Sequence, residues 1–362
     1  MKKLQYDNAF LDDFGNAVGF ILGRGQGPTL LLITHMDTVP LPSGLSSQEP
    51  WMAAMNGRLF GPGAADCKGG MAAQVFAGGL LKRSLLPLEG NLVVAATVAE
   101  ECGRSLGVKG LIEKTLPELG FDPACVVLGE PTNLGLYYGH DGWVAAEITV
   151  TGEDLFQVSL VKSTILDDLL GAMGGDSTDE RAEELVVREV SGHQTEGPFS
   201  AAIEVGRRLR SGEEVADALD QLERQAAQIA ELFGGVSVSA QVPHVQQQAF
   251  AGSTAVVQKG TPPWYTDPHH PLLKRACHAL AAIGNNVHLG KWRLDRQCLG
   301  SAGRVLTNQF HLPTIGYGPG REEVAHNEDE FVEIEKIQKA LFGTAVIAYD
   351  LIGIPVYEKG VG

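Results

Sequence analysis

The sequence has few cysteines, a shortage of basic residues and no long hydrophobic run, and each of these features excludes a class of protein. The five cysteines are odd in number, scattered and without a CxxC pair, which is typical of a reducing, cytoplasmic compartment. Lys and Arg total 28 against 44 Asp and Glu, giving a formal net charge of −16, so we expect neither nucleic acid nor an anionic membrane as a partner. No apolar run approaches the roughly 18 residues of a membrane span, and the first residues lack the apolar stretch of a signal peptide.

Short apolar runs separated by helical stretches dominate both ends of the chain. The 362 residues, 44% of them hydrophobic, suit two domains of ordinary size. Alternating buried strands and helices predict an α/β fold with a mostly parallel sheet flanked by helices. We expect a helix at 69–83 and a closing helix at 330–352. The predicted strands are 29–34, 91–98, 124–129 and 312–318.

The middle of the chain has a different pattern, in which single strands and helices alternate as in a compact α+β unit. We therefore divide the chain into a catalytic domain, 1–144 and 251–362, and an inserted domain, 145–250. Within the insert, the charged stretch 174–190 is interpreted as a solvated helix or loop.

Histidine and acidic side chains follow each strand that is predicted for the α/β domain. Ligands of open α/β sheets bind beyond the carboxyl ends of the strands, so these residues should meet at one edge. Together they provide two histidines and five carboxylates. They are His35 and Asp37 after the first strand, Asp66 in the glycine-rich loop 61–70, Glu100 and Glu101, Glu130, and His326.

So many carboxylates repel each other strongly unless a cation neutralises them. Imidazole together with carboxylate suits zinc, manganese or cobalt. The number of groups exceeds what one tetrahedral zinc uses, which favours two metals that share a carboxylate. Taken singly, the pair His35 and Asp37 would more often be hydrogen-bonded at a strand end, and Glu100 and Glu101 would more often be a solvated turn.

Five motifs resemble those of a dizinc metallopeptidase and amidohydrolase family. They are HMD at 35–37, GPGAADCKGG at 61–70, EE at 100–101, GEPTN at 129–133 and AHNEDE at 325–330. The family includes acetylornithine deacetylase, succinyl-diaminopimelate desuccinylase, aminoacylase and glutamate carboxypeptidase, and the similarity is closest to its selenium-metabolism-linked hydrolase branch. The resemblance implies a zinc-peptidase-like catalytic domain, with 145–250 as a lid and dimerisation domain.

The resemblance also implies a role for each ligand and two zinc ions per chain, which cobalt or manganese could replace. The implied reaction is hydrolysis of an amide bond in an N-acyl amino acid or small peptide by a metal-bridged water. His35 and Glu130 would bind one zinc, Glu101 and His326 the other, and Asp66 would bridge them, while Asp37 would orient His35 and Glu100 would be the general base.

The inserted domain departs from the family pattern, because Phe156 stands where a lid histidine is expected. Such an oxyanion donor can be worth about 3 kcal/mol. His193 is a candidate replacement, although a surface-loop histidine is the simpler interpretation. Arg304 is a candidate anchor for a substrate carboxylate, and an exposed surface arginine is an equal alternative. We expect a small-molecule substrate with a carboxylate, and a homodimer through the lid.

Two other functions fit the same residues. One is a metal-binding homologue with lost or weak catalysis that binds a ligand or partner. The missing lid histidine and the short N-terminal region favour this hypothesis. The presence of Glu100 and of the complete ligand set opposes it. The other is a mononuclear or non-zinc enzyme of the same fold, for instance one that uses manganese on a ureido substrate.

Overall fold

The structure is a computed structural model. It describes residues 1–25, 27–39, 53–101, 105–173, 185–190, 198–209, 212–248, 254–258, 260–293 and 301–354. Among these residues, no helix is both long and apolar enough to cross a membrane.

The described strands and helices follow one another along the chain. The strands are β1 (Asn8–Leu11), β2 (Ala17–Ile21), β3 (Thr29–His35), β4 (Ala53–Met55), β5 (Arg58–Phe60), β6 (Asn91–Thr97), β7 (Pro123–Leu128), β8 (Leu136–His140), β9 (Gly142–Gly152), β10 (Leu185–Val190), β11 (Phe199–Leu209), β12 (Val236–Gln241), β13 (His244–Gln248), β14 (Thr254–Gln258), β15 (Gly260–Thr261), β16 (Trp264–Tyr265), β17 (Leu289–Trp292), β18 (Thr314–Gly316) and β19 (Phe331–Glu333). The helices are α1 (Gly69–Ser84), α2 (Leu106–Gly110), α3 (Leu116–Glu118), α4 (Leu155–Met173), α5 (Val215–Glu231), α6 (Pro271–Ala282) and α7 (Ile334–Ile352).

The central sheet has the strand order β1-β2-β6-β3-β7-β18-β8-β16, with β17 beside β8. Its middle strands β6, β3, β7 and β18 are parallel. The predicted α/β class with a mostly parallel sheet is confirmed, although the predicted strand 312–318 is reduced to the short β18. The strands β1, β2, β8, β16 and β17 are additions that the apolar runs did not predict.

Both faces of the central sheet are buried, which explains why its middle strands are continuous apolar runs. Every residue of β3 is buried. Leu30 and Leu32 pack with α1, α6 and α7 on one face. Leu31 and Ile33 pack on the other face with apolar residues of the segment 108–121, which includes α3. The sheet is therefore a rigid layer, and its carboxyl edge is a stable place for functional groups.

A second sheet, entirely antiparallel among the described strands, has the order β10-β11-β9-β12, with β15 beside β9. Side chains of α4 and α5 pack against it in a separate apolar cluster. It begins at Gly142 and includes Gly260–Thr261, so it extends slightly beyond the insert 145–250. Those domain boundaries stay predictions.

One segment of the insert differs from the expected structure. Residues 185–190 form strand β10, paired with β11 along its length, where a solvated helix or loop was expected. Its sequence LVVREV is rich in valine, a β-branched residue that favours strands. The rest of that stretch, residues 174–184, holds most of its charged residues and lies outside the described residues.

A small sheet, β19-β5-β4, connects two loops beside the central sheet. The predicted closing helix from 330 begins instead at Ile334, because 331–333 pair with β5. This pairing places the segment around 325–330 against the glycine-rich loop 61–70.

Candidate metal centre

The predicted ligands meet at the carboxyl edge of the central sheet. His35 is the last residue of β3, and it pairs in register with Thr97 of the parallel strand β6. Glu100 and Glu101 follow β6, and Glu130 follows β7 on the other side of β3. The convergence that the strand ends predicted is therefore present in the structure.

Asp66 lies between the two histidines and directs one carboxylate oxygen at each. Oδ1 is 3.1 Å from Nε2 of His35, and Oδ2 is 3.2 Å from Nε2 of His326. Oε2 of Glu130 is 3.7 Å from Nε2 of His35, and Oε1 of Glu101 is 3.2 Å from Nε2 of His326. The result is two sets of candidate ligands that share Asp66.

The donor atoms of each set lie within 4.8 Å of one another. One set contains His35, Asp66 and Glu130, and the other contains Asp66, Glu101 and His326. Imidazole nitrogens and carboxylate oxygens in these numbers suit zinc, manganese or cobalt, and a carboxylate with one oxygen in each set suits two ions. The residues present therefore fit a dinuclear metal centre.

The electrostatic field of the centre attracts positive charge. Burial by itself lowers the pKa of His326, but its contacts with Asp66 and Glu101 outweigh burial and raise this pKa to about 11. Burial would raise the pKa of Asp66, yet hydrogen bonds from both histidines hold it far below its usual range. The field that stabilises a proton on His326 also stabilises a metal cation.

The main chain fixes the ring of His35. Its Nδ1 lies 2.9 Å from the backbone oxygen of Asp37. Since a carbonyl only accepts, Nδ1 keeps its proton, and Nε2 is the nitrogen that can bind a metal once it releases the proton it donates to Asp66. The Asp37 carboxylate, expected to orient His35, lies 3.8 Å from Nδ1, and its Oδ2 instead accepts a hydrogen bond from the backbone N–H of Glu101 at 3.0 Å. The backbone oxygen of Asp37 therefore orients His35, and the carboxylate of Asp37 holds the main chain at Glu101.

Glu100 is only 5% exposed, and its Oε2 has no hydrogen-bond partner among the described residues. Burial raises the pKa of this carboxyl to about 7, against the opposing effects of the His35 charge and a hydrogen bond with Ser105. A buried carboxylate with an open oxygen and a pKa near neutrality is suited to take up and return a proton.

Two residues of the site were not identified from the sequence. Cys67 lies within the His35 set. Burial raises the pKa of its thiol well above the usual range, and its Sγ accepts a hydrogen bond from the backbone N–H of His35 at 3.3 Å. Glu330 accepts three backbone hydrogen bonds from the loop of Asp66. The motif AHNEDE contained Glu330, but a run of acidic residues is typical of a solvated turn, so nothing indicated its burial.

Neither Arg304 nor Phe156 belongs to a ligand set, and the third remaining candidate residue is His193. Arg304 is partly buried, and burial lowers the pKa of its guanidinium against the opposing charge of Glu100. Arg304 therefore lies within electrostatic reach of the site. Phe156, near the start of α4, is 74% exposed. His193 lies outside the described residues.

Comparison with known proteins gives one family for nearly the whole chain. Peptidase family M20/M25/M40 matches residues 31–347. The Escherichia coli (strain K12) protein YgeY, which is named as uncharacterized, is 28% identical over 349 residues, covering 91% of this chain and 82% of that protein. A [LysW]-lysine hydrolase of Deinococcus radiodurans is 26% identical over 337 residues, covering 92% of this chain and 84% of that protein.

The fold is also that of solved structures in the family. YXEP of Bacillus subtilis, described as a dinuclear metal binding peptidase from the M20 family, superposes with a TM-score of 0.65 at 15% identity. The match covers 98% of this chain and 90% of that one. At this identity, the likeness is one of fold.

Proposed function

Because the chain belongs to the peptidase family M20/M25/M40, we propose that it hydrolyses the amide bond of an N-acyl amino acid or small peptide with two bound zinc ions. The observation that carries this proposal is the position of Asp66, with one oxygen toward His35 and the other toward His326. The buried, unpartnered Oε2 of Glu100 beside these ligands supports it.

The side chains of the site have separate roles in the proposed reaction. His35, Glu130 and Asp66 would hold one ion, while Glu101, His326 and Asp66 would hold the other. When bound, the two ions polarise the amide carbonyl and lower the pKa of the attacking water. Glu100 accepts the proton of that water at its carboxylate and returns it to the nitrogen of the leaving amine, for which a pKa near 7 is suitable.

We assign the substrate's own carboxylate to Arg304. A planar guanidinium can donate two parallel hydrogen bonds to a carboxylate, and the partial burial of Arg304 and its charge interaction with Glu100 support this assignment. The relative from Deinococcus radiodurans is named a hydrolase of a lysine derivative, which is in keeping with an amino-acid product.

A homodimer through the second sheet belongs to the same proposal. Strands β10 and β12 are the outer strands in the order of that sheet, and unpaired edges are commonly covered by association. On α4, Leu155, Phe156 and Leu160 are exposed. A cytoplasmic location and the exclusion of nucleic acid and membrane partners stay predictions from composition.

A metal-binding homologue without catalysis remains the second candidate, because Phe156 occupies the position of the expected lid histidine. Metal content after purification without chelator, with a screen of N-acetyl, N-succinyl, N-carbamoyl and dipeptide substrates, separates the candidates. Two ions and turnover of an N-acyl amino acid or dipeptide are the expected result. Two ions without turnover would favour the binding protein, and one ion with N-carbamoyl turnover would favour the mononuclear enzyme.

A further inference from the structure

Glu330 is a buried acidic residue that has no part in the reaction steps above. It is 4% exposed and directs both carboxylate oxygens at one loop. Oε2 accepts a hydrogen bond from the N–H of Gly63 at 2.8 Å, and Oε1 accepts from the N–H groups of Ala65 at 2.8 Å and Asp66 at 2.9 Å. Hydrogen bonds to an ionised acceptor are about twice as strong as neutral ones, so these three bonds hold the loop firmly.

The loop needs such an anchor because the large sheets do not hold it. Asp66 has extended dihedral angles, φ −121° and ψ 92°, inside a short irregular turn. Gly63 has a φ of +74°, and a Cβ atom there would lie 2.5 Å from Lys68 Nζ, so the backbone passes through a conformation that favours glycine. The position of the shared ligand Asp66 thus depends on contacts from outside its own segment.

The same residue fixes the segment that carries His326. The backbone oxygen of Glu330 accepts a hydrogen bond from the Gly61 N–H at 2.9 Å, and its N–H donates to the oxygen of Asn327 at 3.2 Å. Directly after it, Phe331 pairs with Phe60 in the small sheet. Glu330 therefore joins the loop of Asp66 to the loop of His326.

We propose that Glu330 is a positioning residue for the metal position formed by Glu101, Asp66 and His326. This inference rests on the proposed dinuclear function. Two of these three ligands lie on loops that Glu330 connects, whereas His35 is the last residue of β3 and Glu130 follows β7. Loss of the Glu330 carboxylate therefore weakens the ion at the His326 position more than the ion at the His35 position.

The variant Glu330→Gln tests this with little change in shape. A glutamine can still accept at one oxygen, but its NH₂ group would face a backbone N–H donor, which leaves that donor unsatisfied. The matched control is Glu328→Gln, which removes the same charge from an exposed position two residues away. Glu330→Asp is the second variant and serves as the test if the glutamine variant does not fold. It keeps the charge on a shorter side chain, and it should weaken binding of the same ion.

The measurement is a titration of each metal-free protein with Zn²⁺ by calorimetry, together with Co²⁺ absorption spectra. Wild type and Glu328→Gln should bind two ions. Glu330→Gln should bind one ion with wild-type affinity and the second about 10- to 100-fold more weakly, the loss typical when a partner of a metal ligand is removed. The Co²⁺ spectrum of its first ion should match that of the first ion in wild type.

The outcomes separate the inference from the proposed function. If wild type and Glu330→Gln both bind two ions with equal affinities, the positioning role is overturned and the dinuclear function stands. If both ions weaken equally, the selective effect on the His326 position is overturned. If wild type binds a single ion, the dinuclear function fails, and with it the inference.

Discussion

The two halves of the metal centre are built from different kinds of structure. His35 ends β3 and Glu130 follows β7; both are buried, at 2% and 6% exposure. Glu101 and His326 lie on loops and are partly exposed. The sheet places the first half by its own hydrogen bonds, whereas the second half depends on contacts between loops, so only the first half is anchored directly by the core.

This difference has a consequence for how the centre responds to change. Sites on strands are held more precisely than sites on loops, and the apolar packing on both faces of β3 resists displacement of His35. The loop half should be the weaker and more easily disturbed metal position. The following variants separate the two halves, beginning with the largest expected effect.

Glu100→Gln should abolish most turnover and leave both metal positions occupied. Glu100 belongs to neither ligand set. Removal of its proton-accepting oxygen should lower kcat by the factor that a general base contributes, about 10² to 10⁴. The checks are kcat on whichever substrate is hydrolysed and metal content by mass spectrometry. Wild-type rates in this variant would mean that the base is another group, and a lost ion would make Glu100 part of one half of the centre.

Replacing one histidine from each half compares the halves directly. His35→Ala removes a ligand, so it should weaken metal binding by more than the factor of about 10 to 100 that is lost when a hydrogen-bond partner of a ligand is removed. It should also lower the free energy of unfolding, since it leaves a cavity at the buried end of β3. His326→Ala should cost one ion but little stability, because His326 is partly exposed. Metal titration and thermal unfolding of the metal-free proteins measure both effects. Equal losses of stability would contradict the proposed difference in anchoring.

The same difference explains what could be predicted from the sequence. His35, Glu100, Glu101 and Glu130 follow apolar runs, and parallel strands bring such positions to one edge whatever the loops do. Residues on strand ends are therefore predictable from local patterns. Asp66 and His326 were counted with them from the glycine-rich loop 61–70 and the turn after the last predicted strand, and the resemblance to the family then implied their roles as bridge and ligand.

The contacts between loops could not be predicted, because they depend on partners that are remote in the chain. Glu330 accepts from Gly63, Ala65 and Asp66, more than 260 residues away, and its neighbours give it the pattern of a solvated turn. The strand Phe331–Glu333 was likewise assigned to the closing helix, since its pairing with β5 overrides the helical pattern that continues into Ile334. Pairing across the fold decided both cases.

Arg304→Gln should raise KM for a substrate with a carboxylate and change kcat less. A hydrogen bond to a charged group contributes about 1.5–3 kcal/mol, which corresponds to about 10- to 100-fold in KM. The matched control is the same substrate with its carboxylate converted to an amide, on which wild type and variant should be equally poor. An equal KM for wild type and variant on the carboxylate substrate would mean that Arg304 does not bind the substrate's carboxylate.

The smallest effect is expected at Phe156, which tests whether the second sheet adds to the centre at all. Phe156 is 74% exposed on α4, so a histidine fits there without disturbing the core, and across a dimer it could donate to the oxyanion. Because an exposed side chain is not held in one orientation, Phe156→His should increase kcat by far less than the factor of about 10² to 10³ that is lost when an oxyanion donor is removed. Leu155→His, one position earlier and also exposed, is the control and should leave kcat unchanged. Light scattering gives the mass of both variants. A gain in a dimer supports the lid proposal, and a monomer would refute the dimer. A dimer without any gain would mean that position 156 does not limit catalysis, and would point to His193 or another donor.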